Sequence, residues 1–565
     1  MGIISMKSII LIIVLLLALF VSSRVSGQPI MRIGLISDTH WTENPKSFQK
    51  TEAALKVFKE EKVDAIWHLG DISDLLYVKA YRHYRQNVFP SFFPENPPDE
   101  LFVYANHDLL RRDALGGVEQ MPPEEAFATV QKELGIKNSP DDERIVKGYP
   151  VLIFSQFTAN AVKEKKLEET VAQYPDKTIF VLDHCPAVHA PYTDLRSPYC
   201  KYPQVIHIYG HNHAPLRDEN SIWQGTHTEV SAGCLHNWRG YLVGMSPVSK
   251  ENTDFAVMDV YPNKIIYRRF SIVTGKECKE PWTIPLPFDA KTAPYRRDYR
   301  QANTPAPTFA QDATLKLTVD QPFSAVKLTW PEATQGGEVY KYYIAVERQD
   351  ADGAFHPITR LDAYSEFHLD EHLRRGSFTQ SFSSGYFDSG KKYRFTVTPV
   401  GFFGKAGTPI TADFTPPANV KESTLIFESR DPMKELEVAF IVGAKRQTGK
   451  KPLTVKDGFY QHPAGYVRVF LPEKAGKDVD GGKFRFTIDL DTRQEAPTWT
   501  MVLNNPIPFA NANNRIKMPS GENIGWRYVM ECRRMRAPTD VYSLLLREGG
   551  PGEFRINYVK LEKLP

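Results

Sequence analysis

Between residues 31 and about 240, short apolar runs alternate with segments of helical periodicity. The apolar runs predict strands over 32–36, 64–69, 101–104, 151–155, 178–182 and 205–209. A helix is predicted over about 45–61, where Ala54, Leu55 and Phe58 share one face. Another begins after Pro122-Pro123, because proline suits the first helical turn. Strand–helix alternation of this kind argues a layered α/β domain. Two further apolar runs, 255–261 and 264–270, are expected to complete the sheet, with the domain ending near Asp289.

Beyond that point the periodicity changes. Residues 290–304 are rich in Lys, Arg, Pro, Ala and Thr and read as a linker. Period-two alternation then dominates, with strands predicted over 326–330, 342–347 and 393–399. Thr415-Pro416-Pro417 marks a second break. In the last region Phe484, Phe486, Ile488 and Leu490 alternate with Lys483, Arg485, Thr487 and Asp489, as in a strand with one buried face. Segments 526–531 and 554–561 repeat that pattern. The expected organisation is an α/β catalytic domain over 28–289, then two all-β sandwich domains over 305–416 and 417–565.

The N-terminus adds an address. Lys7 precedes thirteen apolar residues, Ile9 to Val21, and Val25-Ser26-Gly27 follow. That pattern predicts a secretory signal over residues 1–27 and an exported protein, whether periplasmic, cell-surface or secreted. The run is short of the roughly 20 residues that span a bilayer. No second long apolar run follows, so no transmembrane span is expected after cleavage. With 70 basic and 67 acidic residues, net charge gives no nucleic-acid-binding signal. Export permits disulfides. Pairing among Cys185, Cys200, Cys234 and Cys278, or free buried thiols, both stay open, and Cys532 makes the count odd.

The chemistry concentrates before residue 240, where eleven of the fifteen histidines lie. Polar clusters follow the predicted strands one by one: Asp38 and His40, then Gly70-Asp71, then Asn106-His107-Asp108, then His184, then Gly210-His211-Asn212-His213. In a parallel sheet such positions converge at the carboxyl edge, where α/β folds build their sites. Carboxylates and neutral imidazoles suit manganese, iron and zinc. Asp71 is placed to bridge two divalent ions, since one carboxylate can touch both. Two cations about 3.5–4 Å apart activate a bridging hydroxide and neutralise phosphoryl oxygens during in-line attack. No serine elbow, P-loop or GxGxxG motif competes with this reading.

As an ordered set, Asp38-Thr39-His40, Gly70-Asp71-Ile72-Ser73-Asp74, Asn106-His107-Asp108, His184 and Gly210-His211-Asn212-His213 resemble the calcineurin-like metallophosphoesterase family. The resemblance implies a two-sheet metallophosphoesterase sandwich flanked by helices. It implies one metal on Asp38, His40, Asp71 and His213, and another on Asp71, Asn106, His184 and His211. It also implies His107 as a general acid beside the substrate, oriented by Asp74. A carboxylate beside an imidazole favours its protonated form. Two positions depart from the family pattern. Ala105 stands where glycine is usual before Asn-His. The related purple acid phosphatases place a tyrosine ligand three residues after the bridging aspartate. Asp74 stands there in this chain, and His40 is present, so tyrosinate-bound iron is not implied.

Other residues are nominated around the pocket: Trp41, Leu109 to Arg112, and Arg196, His236, Trp238 and Arg239, with Arg196, His236 and Arg239 as substrate contacts. The expected activity is hydrolysis of a phosphomonoester or phosphodiester on a small molecule, an envelope polymer or a lipid head group. Downstream, Trp330 and Tyr393 resemble positions of a fibronectin type III domain, Tyr393 at its tyrosine corner. The last region resembles jelly-roll, galactose-binding-like modules, which implies possible glycan contact. The competing reading is a glycan- or surface-binding protein with a vestigial phosphoesterase domain.

Overall fold

The computed structural model describes residues 27–113, 118–187, 197–237, 252–442, 449–462, 465–470, 472, 483–493, 500–504, 516–517, 522–532, 543–548 and 552–565. Most of the expected signal, together with Arg196, Trp238 and Arg239, lies outside the described residues. The chain divides into two compact units, one mainly of residues up to Asn303 and the other mainly from Thr304 onward.

The first unit contains two six-stranded sheets. In chain order its elements are β1 (Met31–Ile36), α1 (Gln49–Glu61), β2 (Ala65–His68), β3 (Asp99–Phe102), α2 (Pro123–Leu134), β4 (Asp142–Val146), β5 (Tyr149–Ile153), α3 (Asn160–Gln173), β6 (Ile179–Leu182), β7 (Val205–Tyr209), β8 (Ile222–Gln224), β9 (Thr228–Ser231), β10 (Asp254–Tyr261), β11 (Lys264–Ser271) and β12 (Glu277–Pro285). The first sheet runs β12-β11-β10-β1-β2-β3 and the second β8-β9-β7-β6-β5-β4. β1, β2 and β3 are parallel, as are β5, β6, β7 and β9.

Alternation along each strand explains the layering. Met31, Ile33 and Leu35 share one apolar cluster with Ala65, Trp67, Val151, Ile153, Phe180, Leu182, Ile206 and Ile208. That cluster joins both sheets face to face. The opposite face of the first sheet packs Ile66, Phe102 and Phe255 against Ala54, Leu55 and Phe58 of α1 and Val130 of α2. On the second sheet, Leu152, Ile179, Val181 and Val205 pack against Leu167 of α3. The result is a mixed α/β domain whose parallel strands fill the centre of the second sheet and run from the centre to the β3 edge of the first.

The second unit is rich in β-structure. A three-stranded sheet (Lys316–Val319, Ala325–Pro331, Ser377–Ser383) and a four-stranded sheet (Val339–Gln349, Phe355–Tyr364, Tyr393–Gly401, Ile410–Phe414) contribute to one apolar cluster around Trp330, Tyr342 and Phe395. Further along, Lys483–Arg493 pairs with Asn523–Cys532 and Gly552–Leu564. The row Phe484, Phe486, Ile488 and Leu490 is fully buried as expected, but Arg485 and Thr487 on the opposite face are buried as well, so the strand is covered on both faces there and not on one.

Candidate metal centre

Five strand ends of the first unit deliver the polar clusters to one place. Asp38, His40, Asp71 and His213 bring one donor atom each to within 4.8 Å of the others. Asp71, His184 and His211 form a second such group, so Asp71 belongs to both. His40 Nε2 lies 3.7 Å from Asp71 Oδ2, and His184 Nε2 lies 3.3 Å from the same oxygen. His213 Nε2 is 3.0 Å from Asp38 Oδ1. Asn106 sits beside these loops, and its Oδ1 is buried with no hydrogen-bond partner.

Local hydrogen bonds fix which atoms face inward. His184 Nδ1–H donates to Leu69 O at 2.6 Å, and His213 Nδ1–H donates to Asn237 O at 2.7 Å. Each ring therefore turns Nε2 toward the carboxylates, the nitrogen a metal-ligating imidazole offers once it has lost its proton. His40 Nε2 and His213 Nε2 face each other at 3.3 Å. Asp38 Oδ2 accepts from Ser37 Oγ and from His211 N, while Oδ1 has no hydrogen-bond partner. His184 Nε2 is likewise buried without one. Lone pairs pointed at a common space, with nothing between them, fit a cation and are costly otherwise. The donor set of carboxylate, imidazole and amide suits divalent ions.

Electrostatics lead to the same conclusion. Burial works to raise Asp38 and Asp71, but His213 and His184 respectively outweigh it and hold both carboxyls well below their usual range. Burial works against charge on His184, yet Asp71 lifts it to about 9. His213 is lifted to about 11 against its burial, by Cys234 and Asp38. Protons on these imidazoles supply the positive charge that a divalent cation would otherwise bring.

The backbone is bent to make this possible. Nine non-glycine residues have positive φ among the described residues, and five are Asp38, His40, Asp71, His211 and His213. Such conformations cost about 1–3 kcal/mol each and persist where tertiary structure over-determines them. Gly70 (φ +97°) permits a close approach: a Cβ there would meet His184 Nδ1 at 2.7 Å and Ala105 Cβ at 2.8 Å. A Cβ on Gly210 would collide with Ser37 Oγ and approach Asp38 Oδ2 to 2.7 Å.

Two side chains that the sequence left without a role hold the loops. His68 Nδ1 accepts from Gly70 N at 3.2 Å. Its Nε2–H donates to Thr39 Oγ1 at 2.9 Å, since that hydroxyl donates to Ile72 O. Burial pushes His68 down to about 3, in keeping with this neutral tautomer. Asp108 accepts from Ile72 N and Ala105 N, tying the Asp71 loop to the Asn106 loop. A polar residue directly at or after a strand end was the available signal for both.

The nominated pocket residues divide. His236 is at the centre, its ring 4.7 Å from that of His40 and its amide donating to Asp38 O. Trp41 is not a pocket residue: it is fully buried, stacks on Phe48 and Tyr84 and donates to Thr51 Oγ1. Leu109 is buried and Arg111 pairs with Glu119 at the surface. The His107 ring is 4.5 Å from that of His40, and its Nδ1–H donates to the backbone carbonyl of Asp74 at 2.9 Å. The Asp74 carboxylate, expected to orient His107 alone, lies between two imidazoles, 3.4 Å from His40 Nδ1 and 3.5 Å from His107 Nδ1. Among the described residues Cys185, Cys234 and Cys278 are free thiols.

No curated protein sequence matches this chain. Solved structures that match part of this chain include a dimetal phosphatase from Danio rerio, 11% identical, covering 46% of this chain and 99% of that one (TM-score 0.30). A purple acid phosphatase from yellow lupin (Lupinus luteus) seeds is 12% identical, with 45% and 53% covered (TM-score 0.33). A predicted phosphoesterase from Streptococcus pneumoniae is 12% identical, with 45% and 97% covered (TM-score 0.22). The family model described as the calcineurin-like phosphoesterase superfamily domain matches residues 31–245. With the clustered donors described above, residues 31–245 are a calcineurin-like phosphoesterase domain.

Proposed function

We propose that this protein is an exported phosphoesterase with two divalent cations that share Asp71. Asp38, His40, Asp71 and His213 would hold one; Asp71, Asn106, His184 and His211 would hold the other. The observation that carries this reading is the pair of donor groups with one carboxylate in common. When bound, such cations activate water and offset the charge of the phosphoryl oxygens.

The protein's own groups supply the rest. Asp38 and Asp71 stay ionised and anchor positive charge. His107 has Nδ1–H committed to Asp74 O, which leaves Nε2 to hold a phosphoryl oxygen or pass a proton to the leaving group. Asp74 acts through His107 and His40 as a positioning residue. His236, next to His40, is placed to contact substrate. The substrate is a phosphomonoester or phosphodiester on a small molecule, an envelope polymer or a lipid head group. Export rests on the N-terminal sequence pattern. Among the described residues no helix is long and apolar enough to cross a membrane. In the second unit Asp388 N donates to Tyr393 Oη at 2.7 Å, the bond of a tyrosine corner, which supports a fibronectin type III-like domain before a jelly-roll-like module.

Protein loaded with manganese or zinc is expected to hydrolyse p-nitrophenyl phosphate or its bis ester, and chelator is expected to abolish that turnover. A metal-loaded preparation inert toward a broad phosphoester panel would overturn the reading. Asp71→Asn should lose metal and rate together, since both donor groups need that oxygen. A variant with full metal content and full rate would refute the shared bridge.

A further inference from the structure

A second constellation of ligand type lies on the second sheet, apart from the centre described above. His207 in β7 and Glu229 in β9 are register partners on adjacent parallel strands, so both side chains leave the same face. His227 lies two residues before Glu229 and shares that face. All three are essentially inaccessible, at 0%, 1% and 0% exposure for His207, Glu229 and His227.

The spacing is that of donors around a common atom. His207 Nδ1 is 3.6 Å from Glu229 Oε2, and His227 Nε2 is 3.8 Å from it. The three donor atoms all lie within 4.8 Å of one another. Direct N–H···O hydrogen bonds close to about 2.7–3.2 Å, so these contacts are too long to be hydrogen bonds. Tetrahedral zinc with bonds of about 2.0–2.1 Å holds its donors roughly 3.4 Å apart, close to what is seen. Both ring nitrogens of His207 and Nε2 of His227 are buried without a hydrogen-bond partner among the described residues. His227 Nδ1 is engaged by Thr226 Oγ1 at 3.2 Å, which leaves Nε2 to face the carboxylate. The Tyr199 ring lies 4.6 Å from His207, and its hydroxyl is tied to Asp183 at 2.6 Å. Trp223 stands 5.5 Å from His227. Buried imidazoles in this setting need a partner, and none of these neighbours supplies one.

We infer that His207, His227 and Glu229 bind an additional divalent transition-metal ion of zinc type, separate from the pair that shares Asp71. Three protein donors leave a fourth position for water. The site is closed to solvent and joins β7, β9 and the turn before β9, so its role is to brace the sheet that carries His211 and His213.

Metal analysis of the full chain tests this. In an Asp38→Ala/Asp71→Asn background, which disables the other centre, one zinc equivalent is expected to remain. Adding Glu229→Gln or His227→Gln is expected to remove it. Cobalt(II) in the same background should give the intense visible absorption of a tetrahedral site and lose it with Glu229→Gln. Should that background fail to fold, wild-type protein is expected to hold three equivalents and Glu229→Gln two. A folded background protein without metal, an equivalent that survives both substitutions, or a wild type holding only two would each overturn the site, as would a buried water network filling it instead.

Discussion

Two charge clusters in the first unit, one buried around Asp71 and one partly buried around Glu219, are built on opposite terms. Around Glu219 every counter-group is permanent. Arg269 reaches Oε1 at 2.8 Å and Lys279 lies 3.6 Å from it, while Arg300 and Trp282 Nε1 reach Oε2 at 2.7 and 3.1 Å. The Arg269 guanidinium also stacks over Trp282 at 4.2 Å. Around Asp71 the counter-groups are imidazoles, whose charge depends on a proton, and several lone pairs face one another across empty distances. Burial opposes ionisation in both places. At Glu219 the cations Arg269, Lys279 and Arg300 override it and hold the carboxyl at about 2. At Asp71 compensation comes from His184, among other rings. One cluster is complete as it stands, and the other is complete only with something added.

The sharpest way to break that contrast is to cut His107, the group proposed to act on substrate, without touching the donors. His107→Gln should lower kcat by about 10²–10⁴, with metal content unchanged. A wild-type rate in that variant would remove His107 from proton transfer. Glu219→Gln should do the reverse. Leaving Arg269 and Arg300 without their carboxylate should cost about 3 kcal/mol of stability, read by denaturant titration, while metal content and rate per folded molecule hold. Loss of metal instead would show that the two clusters are not separate.

Acid sharpens the same distinction. Glu219 has a folded-state pKa below its ordinary value of 4.5. Its contribution to stability is therefore fully present above pH 4.5 and is lost as pH falls toward 2. By pH 3 the loss should reach about 2 kcal/mol, and Glu219→Gln should lack that part of the slope. An identical acid profile in the two proteins would place the stabilising charge elsewhere.

How much of this was legible in the sequence follows from the same physics. The donors were visible because each follows a continuous apolar run, and central parallel strands are apolar on both faces. The edge strands β4 and β12 were missed because they carry polar residues, Asp142-Glu143-Arg144 in one and Glu277-Cys278-Lys279-Glu280-Pro281 in the other. The stretch expected as a linker contains a helix, Arg297–Asn303, whose Arg300 is bonded to Glu219. Partnerships across strands were invisible. His207 and Glu229 meet through register, which a sequence does not display. The hold on His107 comes from the Asp74 backbone, a group that carries no side-chain signature.

The smallest effect concerns Ala105, where the sequence departs from the family's usual glycine. Ala105 is fully buried and is not among the described non-glycine residues with positive φ, so its backbone has no need of glycine. Its methyl occupies the space left by Gly70, whose missing Cβ would otherwise stand 2.8 Å away. The loop thus needs one glycine at this contact, and Gly70 provides it where φ is +97°. Ala105→Gly should then cost only about 0.4–1 kcal/mol, through added freedom of the unfolded chain. Rate and metal content should stay at wild-type levels. A tenfold change in rate would mean that the methyl itself sets the position of Asn106 and His107, and that the departure is part of how this site works.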